Sequence, residues 1–167
     1  MFKKLCLLSV VCLAAVAAAD HILAVGSNGH GTVTAQDGRV GAFHYAVVKR
    51  TAEGHHPRFE GSLRFEQRDN EAGDWAVVRM GTPRAVRVDR NMCEFMGPGA
   101  MTTVVKGQNV TVHGRVSGVV VDRRNPRHPH GEPDIFRIRF EDEHHNVFMF
   151  NGIVHDGDLV VFTRVLH

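Results

Sequence analysis

Histidine is the residue type in this chain best suited to chemistry. There are 12 histidines, and several stand in pairs: His55-His56, His128-Pro129-His130 and His144-His145. Neutral imidazole is a good ligand for zinc, copper or nickel, and pairs on neighbouring loops can build a site. Asp122, Glu132 and Asp134 flank the second pair and Glu141, Asp142 and Glu143 the third, as possible oxygen ligands. A divalent transition metal is therefore the one cofactor to weigh. Its expected ligands are His128 and His130, with His55 and His56 or His144 and His145 completing the set. Affinity would fall as pH drops through roughly 6.5, because the ligating ring must be neutral. Against this, the chain has no His-Glu-x-x-His or Cys-x-x-Cys spacing. Solvated loop histidines, with no cofactor at all, are the plainer reading.

Nucleophilic chemistry has less to work with. Ser27, Ser62 and Ser117 lie outside any Gly-x-Ser-x-Gly elbow. Cys93, between Met92 and Glu94 and close to Phe95, reads as a small buried hydrophobe rather than a reactive thiol. Gly26 to Gly31 is glycine-rich but has no Lys-Ser/Thr and no helix after it, so it is no phosphate loop. No catalytic residue is expected. Arg87, Arg90, Arg123, Arg124 and Arg127 can bind carboxylate or sulfate in bidentate fashion. Trp75 follows a turn and is the one aromatic expected to stand out as an anchor. Trp75, Arg123, Arg124 and Arg127 thus form the expected binding surface.

The elements that position these residues are strands. Alternation of period two recurs along the chain, with no helical period over any long window. Phe43, Tyr45 and Val47 share one face of 39–48. Phe59, Gly61, Leu63 and Phe65 share one face of 58–66, against Arg58, Glu60, Ser62, Arg64 and Glu66 on the other. Phe136, Ile138 and Phe140 repeat the pattern, and Val120, Phe148 and Phe150 complete the expected core. Breakers separate these runs, among them Asp37-Gly38, Gly97-Pro98-Gly99 and Asp156-Gly157. Gly114 and Gly118 interrupt the long run 109–122 and predict a bend or bulge. The fold class is all-β: a single antiparallel β-sandwich or partly closed barrel of about eight to ten short strands. The irregular stretch 123–133 carries three prolines and should leave the sheet as an exposed loop.

Residues 1–19 read as a cleavable signal peptide, with Lys3 and Lys4 ahead of an apolar run and small residues Ala17 and Ala19 before the cut. Residues 20–167 then form one all-β domain, exported to the periplasm or beyond. Cleavage removes Cys6 and Cys12, which leaves Cys93 without an internal disulfide partner. It also removes two lysines, so the 18 acidic residues balance the remaining basic ones. That neutrality argues against nucleic acid as a partner, and no later segment is apolar enough to span a membrane as a helix.

Several short motifs add a resemblance. Gly29-His30-Gly31-Thr32-Val33 leads into Gly41-Ala42-Phe43-His44-Tyr45, then Phe59-Glu60-Gly61-Ser62-Leu63-Arg64-Phe65. Gly118-Val119-Val120-Val121-Asp122 precedes Pro133-Asp134-Ile135-Phe136-Arg137-Ile138, and Gly157-Asp158-Leu159-Val160 follows. This order resembles the post-COAP type of small β domain found at the C-termini of exported bacterial proteins. The resemblance implies a β-sandwich-like accessory module and carries no catalytic residues. It departs from the pattern in filling nearly the whole mature chain and in an Arg- and His-rich 123–133 loop. The expected function is a non-enzymatic exported module that binds or assembles with another protein or a surface polymer. The alternative is a metal-binding or metal-dependent protein using loop histidines.

Overall fold

The computed structural model describes residues 21–68, 75–123 and 131–166. The strands are β1 (Ile22–Ala35), β2 (Val40–Ala52), β3 (Arg58–Arg68), β4 (Trp75–Met80), β5 (Ala85–Asp89), β6 (Met92–Val105), β7 (Gln108–Val121), β8 (Ile135–Asp142) and β9 (Val147–Leu166). Every pairing is antiparallel, in the order β4-β3-β2-β1-β9-β8-β7-β6. β4 returns to pair with β6, Val78 opposite Met101, and so closes eight strands into a barrel. β5 is the additional ninth strand and pairs with the first half of β6, Val86 opposite Phe95. The described residues contain no helix, hence none long and apolar enough to cross a membrane.

A sandwich is therefore excluded, and the barrel alternative holds. The reason lies in strand length and continuity. β1, β6 and β7 each run for 14 residues and β9 for 20, so the strands are not short. Their inward faces converge on one aromatic cluster instead of facing across two sheets. Phe136 is at its centre: its ring stacks on Phe43 at 4.5 Å between centroids and on Phe65 at 5.8 Å. Tyr45 stacks on Phe95 at 5.6 Å, and Phe65 meets Phe150 at 4.8 Å. Val33, Val47, Val116, Val120, Ile138 and Phe140 fill the space between. The alternation in the sequence assigned these faces correctly. Phe59 and Phe148, at the margin, are only half-buried but pack on the same core.

Three turn or bulge expectations give way to continuous strands. Gly118 faces Phe95 directly in an unbroken β6–β7 ladder, and a Cβ there would come 2.2 Å from Phe95 Cζ. It is a gap for a ring, not a bulge. Asp156-Gly157 lies inside β9, where the register to β1 slips beside Thr32 and Gly157 takes φ 96°. The sequence signature of a turn there marks a β-bulge. Gly97-Pro98-Gly99 lies inside β6 where its neighbour changes from β5 to β4. Pro98 has no N–H to offer that side, and its carbonyl accepts from Gly81 N at 3.2 Å.

Antiparallel order sorts the connections to two ends. The β2–β3 turn, the β5–β6 turn and the β7–β8 connection share one end with Ile22 and Leu166. The β1–β2, β6–β7 and β8–β9 turns share the other.

Candidate functional site

That division separates the histidine pairs. His55 and His56 are exposed in the β2–β3 turn, beside Arg50, Arg58 and Glu60. His144 and His145 are exposed in the β8–β9 turn at the opposite end, so these two pairs do not meet. His128, His130, Arg124 and Arg127 lie outside the described residues. Among the described residues, β7 ends at Val121 and β8 begins at Ile135, which pair with each other at the same end of the barrel as the β2–β3 turn. Among the described residues no three His, Cys, Asp or Glu side chains come together as a metal ligand set.

The His144-His145 turn is built for structure. Asp142 Oδ1 accepts the backbone N–H of His144 and of Asn146, both at 2.8 Å, which folds the turn. Glu141 gathers His145 Nδ1 at 2.9 Å, Arg139 at 2.6 Å and Arg115 at 2.9 Å. These partners, His145 foremost, hold its carboxyl down at about 2.

The opposite end is pinned by aspartates. Asp134 is fully buried and accepts Arg123 N at 2.8 Å, while its own carbonyl accepts Val154 N. Asp122 Oδ2 accepts Val161 N at 3.3 Å, and burial raises its carboxyl above the ordinary range. The Arg123 guanidinium bridges to Glu132 at 2.7 Å. Trp75 is half-buried, and its indole N–H donates to Glu66 Oε1 at 3.2 Å. The ring packs at the start of β4 with its polar edge already satisfied.

Ser27 is fully buried and donates to Val160 O at 2.8 Å. Its one proton is thus spent, so the 2.7 Å contact with Tyr45 Oη has the phenol as donor. Burial pushes the Tyr45 phenol far above its usual range and the Cys93 thiol up to about 12. Neither ionises at neutral pH. Ser62 is exposed on β3, and Ser117 is half-buried on the outer face of β7.

The most developed surface is one the sequence reading passed over. Three depressions adjoin at Asn151: one over the outer face of β7, β8 and β9, lined by Val119, Arg137 and Met149, and two that run from β9 to the end of β1 and the β1–β2 turn, at Ala35 and Gln36. The register sets out a grid: Val119 opposite Arg137 opposite Asn151, and Ser117 opposite Arg139 opposite Met149. Ile135 and Ile153 form the next row. Met149 is 59% exposed, Val147 47% and Ile153 40%. Arg137 Nε donates to Asn151 Oδ1 at 2.9 Å, which holds the guanidinium over the groove. It has no carboxylate partner among the described residues. The signal was present in the run Val147-Phe-Met-Phe-Asn-Gly-Ile153, which apart from Asn151 is apolar on both faces, whereas a half-solvated strand is apolar on one. Compared with known protein families, curated proteins and solved structures, this chain matches none.

Proposed function

We propose that this chain is an exported, non-enzymatic β module that binds another macromolecule through the outer face of β7–β9. The observation that carries this reading is the exposure of Val147, Met149 and Ile153 along the outer face of β9, with Asn151 between them, beside Arg137, which has no carboxylate partner among the described residues. Large apolar side chains left exposed among fixed polar groups mark a surface suited to a partner. A guanidinium held by an amide and standing next to methionine suits a partner with carboxylates along an extended, partly apolar segment. Protein or surface polymer both fit that description. The leader-like residues 1–19 and the resemblance to post-COAP domains support export and an accessory role. The high-lying Cys93 and Tyr45 ionisations leave both groups as packing atoms rather than reagents.

The test is co-sedimentation of the purified protein with washed cell envelopes of the producing organism. Wild type should pellet with them, and Arg137→Glu/Met149→Asp should lose at least about tenfold in affinity, as central contacts of an interface do. Equal pelleting of wild type and a folded variant would discard this face as the binding surface.

A further inference from the structure

The barrel brings together two histidines that belong to none of the sequence pairs. His30 on β1 and His44 on β2 are direct cross-strand partners, and both are exposed on the outer face. Directly opposed residues of an antiparallel pair have Cβ atoms about 4.5–5.5 Å apart. Two imidazoles reaching outward from that base can turn their ring nitrogens toward one point. The residues around them leave the space open. Along β2 the same-face neighbours of His44 are Ala42 and Ala46, and along β1 those of His30 are Asn28 and Thr32. Arg64, opposite His44 on the other side, is drawn along its own strand to Glu66 at 3.0 Å. No hydrogen bond engages either imidazole among the described residues.

On the far side of His30 stands Asp158 of β9, its direct partner in register and also exposed. The row therefore reads Asp158, His30, His44 across three strands. A carboxylate beside a ligating histidine accepts the second ring N–H, fixing the tautomer and raising ligand basicity.

We infer that His30 and His44 form a two-imidazole chelate for a divalent transition ion on the outer face of β1–β2, with Asp158 positioning His30. The protein supplies two ligands and water the remainder, since no third His, Cys, Asp or Glu converges there among the described residues. Imidazole donors favour copper(II), nickel(II) and zinc(II) over calcium or magnesium, and copper(II) binds most tightly in that series. The site is independent of the β7–β9 groove and of the loop histidines.

The experiment is titration of copper(II), nickel(II), zinc(II) and magnesium into the untagged protein by calorimetry, with electron paramagnetic resonance of the copper-loaded form. Wild type should bind copper most tightly and magnesium not at all, with two imidazole nitrogens coupled to the copper. His30→Ala and His44→Ala should each lose more than about tenfold in affinity and retain one coupled imidazole. Asp158→Asn should weaken binding by about 10- to 100-fold, as loss of a supporting carboxylate does. A chain with His55, His56, His128, His130, His144 and His145 all changed to alanine should keep the site. Thermal unfolding of metal-free variants identifies any that fail to fold, and His44→Gln then replaces His44→Ala. Unchanged copper affinity in the folded His30 and His44 variants would overturn the site. So would loss of binding confined to the six-histidine variant.

Discussion

The two faces of β9 have similar side chains and opposite fates. Phe150 points inward, is 1% exposed and touches Phe65 at 4.8 Å. Met149, its neighbour in sequence, points outward and is 59% exposed. Both are large and apolar, so hydrophobicity alone does not say which is structure and which is surface. Position in the pleat decides it. The inward residue is surrounded by seven other staves, and the outward one meets only its own sheet and solvent. Apolar surface that folding does not use is left facing solvent.

The comparison is broken most forcefully by deleting the centre of the inner face. Phe136→Ala removes the ring that contacts Phe43, Tyr45 and Phe65. It should cost about 3–5 kcal/mol, measured by denaturant unfolding. Met149→Ala should stay within about 0.5 kcal/mol while weakening envelope binding. Comparable losses of stability in the two variants would mean that the outer face is part of the fold.

Filling a gap is the second test. Gly118→Val places a side chain where even a Cβ lies 2.2 Å from the Phe95 ring. Phe95 is 2% exposed and packed on Tyr45, so it has little room to yield. Overpacking should cost about 1–3 kcal/mol. An unfolding midpoint equal to wild type would show that the ring moves freely.

The buried hydroxyl pair gives a smaller, directional effect. Ser27→Ala leaves the Tyr45 phenol with a donor and no acceptor, at about 1–3 kcal/mol. Tyr45→Phe leaves Ser27 still donating to Val160 O, so it should cost about 0.5–1.5 kcal/mol. If Tyr45→Phe proves the more costly of the two, the phenol is not the donor in that contact.

These contrasts also show what was legible in the sequence. Face assignment was, because alternation is a local property: Phe43 and Tyr45 needed only the pattern of 39–48. Closure was not, because it depends on whether β4 reaches β6, and nothing near Val78 or Met101 in sequence reports their meeting. Gly157 misled because a glycine at positive φ serves a hairpin and a bulge equally well. The acceptor for the Trp75 indole, Glu66, comes from the neighbouring strand, so that bond was not legible in the sequence. The outer groove could have been read from the doubly apolar run at 147–153. The His30–His44 pair could not, as only the register of β1 on β2 places them together.

The smallest expected effects separate the two ends of the barrel by the sign of their pH response. Glu141 is held at about 2 against an ordinary 4.5. The unfolded chain therefore takes up its proton first as pH falls, and stability present above 4.5 is lost progressively down through about 2. Asp122 behaves oppositely. Burial raises its carboxyl above the ordinary 3.8, so the folded state takes up the proton first. Its contribution favours folding at low pH and is lost as pH rises from 3.8 through the raised folded value. Urea unfolding across about pH 2–6 measures both effects. Glu141→Gln should flatten the acid limb of the stability curve. Asp122→Asn should remove the decline on the higher side, so that its stability relative to wild type grows as pH rises through that window. The Glu141 partners Arg115 and Arg139 are 58% and 40% exposed, so added salt should shrink its effect. The Asp122 effect comes first from burial and should be far less sensitive to salt. Identical pH slopes in both variants and wild type would show that neither carboxylate distinguishes the folded chain from the unfolded one.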